Sequence, residues 1–170
     1  FWILPSNNGC TTGTRTAVTA TVYSVSDTPN NVSSCDSYTL PALTNGSYFT
    51  ASNGGGTPLN AGDVISASTT LFVYSVTATT PNCSDEHSFD IIINSTPTID
   101  TPDNVSSCDS YTLPTLTNGS YFTASNGGGT PLSAGDVIST STTLFVYAET
   151  ATTTNCSNEH SFDITINTTS

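Results

Sequence analysis

Five cysteines, at positions 10, 35, 83, 108 and 156, are the side chains best able to do covalent chemistry. Their spacing is regular. Cys35 and Cys108 lie 73 residues apart, as do Cys83 and Cys156, and Cys10 and Cys83. Cys35 and Cys83 are 48 apart, as are Cys108 and Cys156. The simplest reading is one disulfide per repeat, Cys35–Cys83 and Cys108–Cys156. Each would close a loop of about 48 residues and stabilise its unit by roughly 4 kcal/mol in the chain-entropy model. A zinc site fits less well, because one Cys pair and one His per unit lack finger spacing. Disulfides imply an oxidising, extracytoplasmic setting. Cys10 takes the second position of a unit whose first half would lie before Phe1, so it is expected to be unpaired by truncation.

Other polar groups offer weaker chemistry. His87 and His160 each follow a glutamate, in SDEHSF and SNEHSF; a metal or pH role competes with a plain solvated strand start. Asp85, Glu86 and Asp90 lie close in sequence and form a candidate calcium set that Asp27 and Asp63 could approach in space. Asp100, Glu159 and Asp163 repeat it, and Asp27 and Asp100 sit where junction ligands would. No D-x-D-x-D-G loop accompanies them, and Asp85 becomes Asn158 in the second unit, so turn-forming and solubilising roles compete. The Gly54–Gly56 and Gly127–Gly129 clusters are not phosphate cradles, for no lysine follows. They read as loop apices needing positive φ. No nucleophile–base constellation stands out, and no enzyme activity or cofactor beyond that calcium option is expected. Tyr38, Tyr48, Phe49, Phe72 and Tyr74 recur as Tyr111, Tyr121, Phe122, Phe145 and Tyr147. They read first as filling for a thin core, and secondly as a carbohydrate platform.

The elements behind these residues are copies. Positions 27–94 and 100–167 match at 59 of 68 residues without a gap, with 95–99 (STPTI) as linker. Positions 1–25 read as the C-terminal part of a truncated upstream domain. The nine differences are mostly small or polar swaps and look like surface drift. In each unit Tyr38–Pro41, Gly46–Ser52, Val64–Ser66, Thr70–Thr77 and His87–Ile93 are strand candidates, with turns at Asn53–Pro58 and Ala61–Asp63. Phe89, Ile91 and Ile93 alternate on one face, as do Phe162, Ile164 and Ile166. Many short strands without a helical period predict an all-β fold, tandem small Ig-like β-sandwiches, each with one internal disulfide.

Composition excludes several functions. The chain has 34 Thr, 25 Ser and 15 Asn among 170 residues, and its net charge is −12 with a single basic side chain, Arg15. One arginine cannot neutralise several phosphates, so nucleic acid is not a partner. An anionic bilayer would repel the chain, and no apolar run reaches the roughly 20 residues of a spanning helix. Without lysine, Lys–Asn isopeptide locks are impossible. Asn-x-Ser/Thr sequons at Asn31, Asn45, Asn82, Asn94, Asn104, Asn118, Asn155 and Asn167 permit a glycoprotein, although so Asn-, Ser- and Thr-rich a chain generates them by chance.

The strings CDSYTLP, NGSYFTASNGGGTPLNAGDVI, TTLFVY and CSDEHSFDIIIN resemble an Ig-like repeat of very large Bacteroidota surface proteins. Those proteins are exported by type IX secretion, and many carry a gliding-associated sorting domain. NNGCTTGTRTAVTATV resembles the end of a second Ig-like type of the same proteins, closing on a strand here at Arg15–Thr19. The resemblance implies a bacterial, extracellular or cell-surface structural segment of an adhesin, stalk or filament, serving reach and attachment. Its partners would be further copies of the repeat in cis, neighbouring chains in a filament, surface glycans or abiotic surfaces. A carbohydrate-binding module array and a calcium-rigidified adhesin are the competing readings.

Overall fold

Strand-forming Thr, Val, Ile and aromatic residues alternate with Gly, Asn and Pro turns along each unit, and the secondary structure follows that rhythm. The computed structural model describes residues 25–78 and 82–168, together with the backbone pairing of 2–3 and 16–17. The expected disposition of Cys10, and of Arg15–Thr19 apart from that pairing, lies outside the described residues. Strands β1 (Trp2–Ile3) and β2 (Thr16–Ala17) form an antiparallel pair. The first full unit holds β3 (Val32–Cys35), β4 (Tyr38–Thr39), β5 (Ser47–Ala51), β6 (Gly55–Leu59), β7 (Val64–Ile65), β8 (Thr69–Val76) and β9 (Ser84–Asn94). The second repeats it as β10 (Val105–Cys108), β11 (Tyr111–Thr112), β12 (Ser120–Ala124), β13 (Gly128–Leu132), β14 (Val137–Ile138), β15 (Thr142–Glu149) and β16 (Ser157–Asn167). All described regular structure is β, as expected.

Each unit has a five-stranded sheet and a two-stranded one. Their orders are β3-β9-β8-β5-β6 with β4-β7, and β10-β16-β15-β12-β13 with β11-β14. Every pairing is antiparallel except that of the first strand with the last, β3 with β9 and β10 with β16, which is parallel. The small sheet lies across the inner face of the large one. Leu40, Tyr48, Leu71, Val73, Phe89 and Ile91 are buried together, with Tyr38 and Ile65 of the small sheet packed against them. Leu113, Tyr121, Leu144, Val146, Phe162 and Ile164 form the equivalent core. This is a β-sandwich with one layer reduced to a single pair, as its length of about 70 residues demands.

Two strands escape a reading of local pattern. Val32–Cys35 is too short to show alternation. Gly55–Leu59 looks like loop, yet it pairs with β5 as the outer strand of its sheet. Pro58 is tolerated there because an edge strand leaves one row of backbone groups unpaired. The turn itself is confined to Ser52–Gly55. Asn53 and Gly54 both have positive φ, 58° and 66°, and the Gly55 amide donates to the Ser52 carbonyl at 3.1 Å. This is the Asn-Gly hairpin turn whose twist matches its strands.

The period of two along β9 carries most of the core argument and can be tested directly. Ile91 is 1% exposed and its neighbour Ile92 is 50% exposed. Ile91→Ala is expected to cost about 2–5 kcal/mol in urea denaturation, and Ile92→Ala less than about 1 kcal/mol. Equal losses would contradict the assignment of faces.

Candidate functional site: the junction between repeats

The parallel pairing of first and last strands decides where the cysteines lie. Cys35 ends β3 in register with Asn94, the last residue of β9. Cys83 immediately precedes Ser84, the first residue of β9. The 11 residues of that strand separate the two cysteines by roughly 36 Å at about 3.3 Å per residue. A disulfide requires Cα atoms within about 7 Å. The second unit has the same geometry, with Cys108 beside Asn167 and Cys156 before Ser157. The expected pairs Cys35–Cys83 and Cys108–Cys156 are therefore not formed. Cys35 bonds Cys156 instead, across the two units, with Cα atoms 5.7 Å apart and a sequence separation of 121. Cys83 and Cys108 are free and exposed. Spacing alone could not reveal this, because a fixed period is obeyed equally by pairing within a unit and pairing with the next. The parallel strand pair supplies the missing information.

The disulfide sits within a built junction. Asp36, in the left-handed region at φ 61°, donates its amide to the Asn94 carbonyl at 2.8 Å. Its carboxylate accepts the Thr96 amide at 2.8 Å and the Thr96 hydroxyl at 2.6 Å. The start of the linker is thus tied to the first unit. Further on, the Pro97 carbonyl accepts the Asn158 side-chain amide at 3.1 Å, and Ile99 packs on the second core. The loop between β15 and β16 reaches back, so that Thr152 and Thr153 share a groove with Val32, Ser33 and Ile92 of the first unit. Cys156 closes that loop by a reciprocal pair with Thr150. Its amide donates to Thr150 Oγ1 at 3.0 Å and its carbonyl accepts the Thr150 amide at 2.9 Å. Cys156 is 1% exposed.

One of the nine differences between the units is explained here. Asp85 accepts both the amide and the hydroxyl of Ser26, at 2.9 and 2.8 Å, and Ser26 is only 3% exposed. Asn158, its equivalent, faces a carbonyl and must donate. A carboxylate serves where the incoming segment offers donors, and an amide where it offers an acceptor. This difference is a matched pair with its linker, not drift.

The candidate calcium residues are each engaged separately. Asp27 accepts the Thr44 amide at 2.5 Å, and Asp100 accepts the Thr117 and Asn118 amides at 2.6 and 3.2 Å. Glu86 accepts the Asn53 amide at the hairpin turn, and Glu159 accepts that of Asn126. Asp90 and Asp163 accept the Thr70 and Thr143 hydroxyls, both at 2.6 Å. Among the described residues no three His, Cys, Asp or Glu side chains converge closely enough to hold a metal ion. His87 and His160 bond through Nε2 to the carbonyls of Pro29 and Pro102, at 2.9 and 3.0 Å, pinning the segment that leads into β3 or β10.

The aromatics divide between the two faces. Tyr48 is core and Tyr38 packs beside it. Phe49, Phe72 and Tyr74 are half-buried on the opposite face, where Phe49 lies in register with Phe72. Phe49 and Tyr74 meet edge-on with ring centroids 6.2 Å apart, and Phe122 and Tyr147 do so at 6.0 Å. Gly54 lies beneath the Tyr74 ring; a Cβ there would come within 2.9 Å of Tyr74 Cδ1. The result is a shallow aromatic shelf repeated on each unit.

The strand order, paired sheets and internal repetition define a tandem Ig-like β-sandwich chain. No protein-family model matches the sequence, and no curated protein matches it. Among solved structures it is similar to protocadherin gamma B2 extracellular cadherin domains 3–6, at 12% identity and a TM-score of 0.33 over 84% of this chain and 51% of that one. It is also similar to domains 1–5 of the same protein, at 11% identity and a TM-score of 0.32 over 79% of this chain and 34% of that one. The chain thus spans about half and about a third of the length of these two.

The junction carboxylates set a pH dependence. The Thr96 hydroxyl, with its amide, holds the Asp36 carboxyl below the ordinary value of 3.8, and the Ser26 hydroxyl, with its amide, does the same for Asp85. A lowered pKa means that the stabilising bond is complete above the ordinary value and lost as pH falls through the lower one. In a carboxyl NMR titration Asp36 is expected to titrate below 3.8 and to move back towards that value in Thr96→Val. An unchanged midpoint in the variant would contradict the assigned cause.

Proposed function

We propose that the chain is a load-bearing structural segment of an extracellular or cell-surface stalk, adhesin or filament, without catalytic activity. The observation that carries this reading is the Cys35–Cys156 bond between consecutive modules. The junction between the two units is bridged twice, by the linker backbone and by this disulfide. Tension applied near the two ends of the described region follows β3 to Cys35, crosses to Cys156, and leaves along β16. Both strands on that route are already extended. Everything between positions 35 and 156 lies inside a covalent loop and is shielded while the bond holds. An export route into an oxidising space fits the disulfide. Type IX export by a member of the Bacteroidota is a finer proposal, supported by strings such as CDSYTLP and CSDEHSFDIIIN. Further copies of the repeat are the partners that the tandem arrangement favours.

The repeated shelf of Phe49 and Tyr74 favours a second reading, in which the stalk also holds surface glycans by stacking against sugar faces. Phe49→Ala with Phe122→Ala is then expected to reduce retention on a glycan array at least tenfold while leaving the fold intact. Equal retention would remove this reading.

The stalk reading is tested by single-molecule pulling. The loop closed by the sequence separation of 121 stores up to about 40 nm of chain at roughly 3.5 Å per residue. The oxidised protein is expected to break its tether without releasing that length, whereas reductant or Cys35→Ser releases it in two unfolding steps. Release of the full length from oxidised protein would overturn the shielding on which the reading depends.

A further inference from the structure

The two cysteines that are free among the described residues are the same two halves of a junction, set at the outer poles. Cys108 occupies the position of Cys35, and Cys83 that of Cys156, each one period away. Their surroundings are already formed. Cys108 ends β10 beside Asn167 as Cys35 ends β3 beside Asn94. Asp109 follows with φ 62°, against 61° at Asp36, and donates its amide to the Asn167 carbonyl at 3.0 Å. The Ser110 amide bonds the Cys108 carbonyl at 2.7 Å, as that of Ser37 bonds Cys35 at 2.6 Å. At the other pole the Cys83 amide donates to Thr77 Oγ1 at 2.9 Å, and the Cys83 carbonyl accepts the Thr77 amide at 2.8 Å. That is the reciprocal pair which closes the Cys156 loop. What distinguishes the poles is burial. Cys156 is covered where it meets a neighbouring unit, and Cys83 and Cys108 are exposed.

We propose that Cys83 and Cys108 are complementary coupling ends, each forming with another copy of the repeat the bond that Cys35 and Cys156 form within this chain. Cys108 takes a cysteine of the Cys83 type, and Cys83 takes one of the Cys35 type. Coupling is head-to-tail and heterologous, so it propagates along an open line and does not close into a symmetric dimer. Each internal unit would then be bonded to both neighbours, and every junction would carry a backbone link and a disulfide. The inference rests on the junction geometry and stands whether or not the assembly bears load.

The chemistry balances with a small disulfide such as oxidised glutathione as oxidant. The Cys108 thiolate attacks one sulfur of that disulfide, forming a mixed disulfide and releasing one small thiolate. The Cys83 thiolate of a second copy attacks the Cys108 sulfur and displaces the second small thiolate, so that two protein thiols become one disulfide and two small thiols appear.

The test uses the full chain carrying Cys10→Ser, since Cys10 shares the repeat position of Cys83. The protein is incubated in a glutathione redox buffer at about 0.3 M salt, which screens repulsion between acidic copies. Cross-linked peptides are then mapped after digestion with a protease that does not need basic residues. A ladder of covalent oligomers is expected, with Cys83–Cys108 peptides at least tenfold more abundant than Cys83–Cys83 or Cys108–Cys108. Cys83→Ser or Cys108→Ser alone should leave the protein monomeric, and an equimolar mixture of the two variants should restore coupling only as far as a dimer. The proposal is overturned by a random twofold ratio, by the absence of intermolecular bonds, or by intramodular Cys35–Cys83 and Cys108–Cys156 peptides. A ladder with normal Cys83–Cys108 selectivity but no mechanical shielding would defeat the load-bearing reading and leave this one standing.

Discussion

A parallel hydrogen-bonded ladder of four residues governs this molecule. β3 runs beside the end of β9 and in the same direction, so the first cysteine of a unit must finish where the unit finishes. Had β3 run antiparallel, Cys35 would have ended further back along β9, towards Cys83. Instead the two cysteines occupy opposite poles, and Cys35 meets the sulfur of Cys156 in the next module. A local choice of strand direction thereby turns a stabilising staple into a coupling. Each sandwich must then be held by its own small core and ladders, while the disulfide constrains the relation between sandwiches.

That separation of duties fits what the core provides. Six buried side chains per unit, with a handful packed against them, are a modest core. The small sheet of two-residue strands covers it with help from loop residues, including Leu40, whose amide and carbonyl bond the 62–63 turn. Two such modules joined only by a short linker would tilt freely. Here Thr96 is held by the module behind, while Pro97 and Ile99 are held by the module ahead. The linker is shared property of both folds, and the disulfide fixes a geometry that these weaker contacts already favour.

The strands whose faces alternate strongly were legible from the residues. Leu71 and Val73, and Phe89 and Ile91, are buried where a period of two puts them. Val32–Cys35 and Gly55–Leu59 were not legible, since one is brief and the other is written in loop-like residues whose role comes only from a strand alongside. The cysteine pairing failed for a deeper reason: translation by one period leaves the residue pattern unchanged, so no count of spacings separates the two connectivities. The exchange of Asp85 for Asn158 was equally opaque. Its meaning lies in Ser26 and Pro97, residues of the non-repeated segments that precede each unit. Phe49 and Tyr74 read as core material because composition does not say which face of a sheet is covered.

The excess of hydroxyl groups has a structural use as well as a solubility one. With one arginine and no lysine, the chain cannot balance its 13 acids by ion pairing. Carboxylates instead take donors from amides and from the hydroxyls of Ser26, Thr70, Thr96 and Thr143. Such short-range bonds depend on geometry and are less sensitive to salt than attraction between separated surface charges. The same arrangement leaves a surface of one sign, which pushes modules apart sideways. End-to-end contact is less opposed, because at the junction the Asp36 carboxylate is met by the Thr96 amide and hydroxyl. Charge and sulfur therefore act along different directions: the first opposes lateral clustering, and the second joins modules in line.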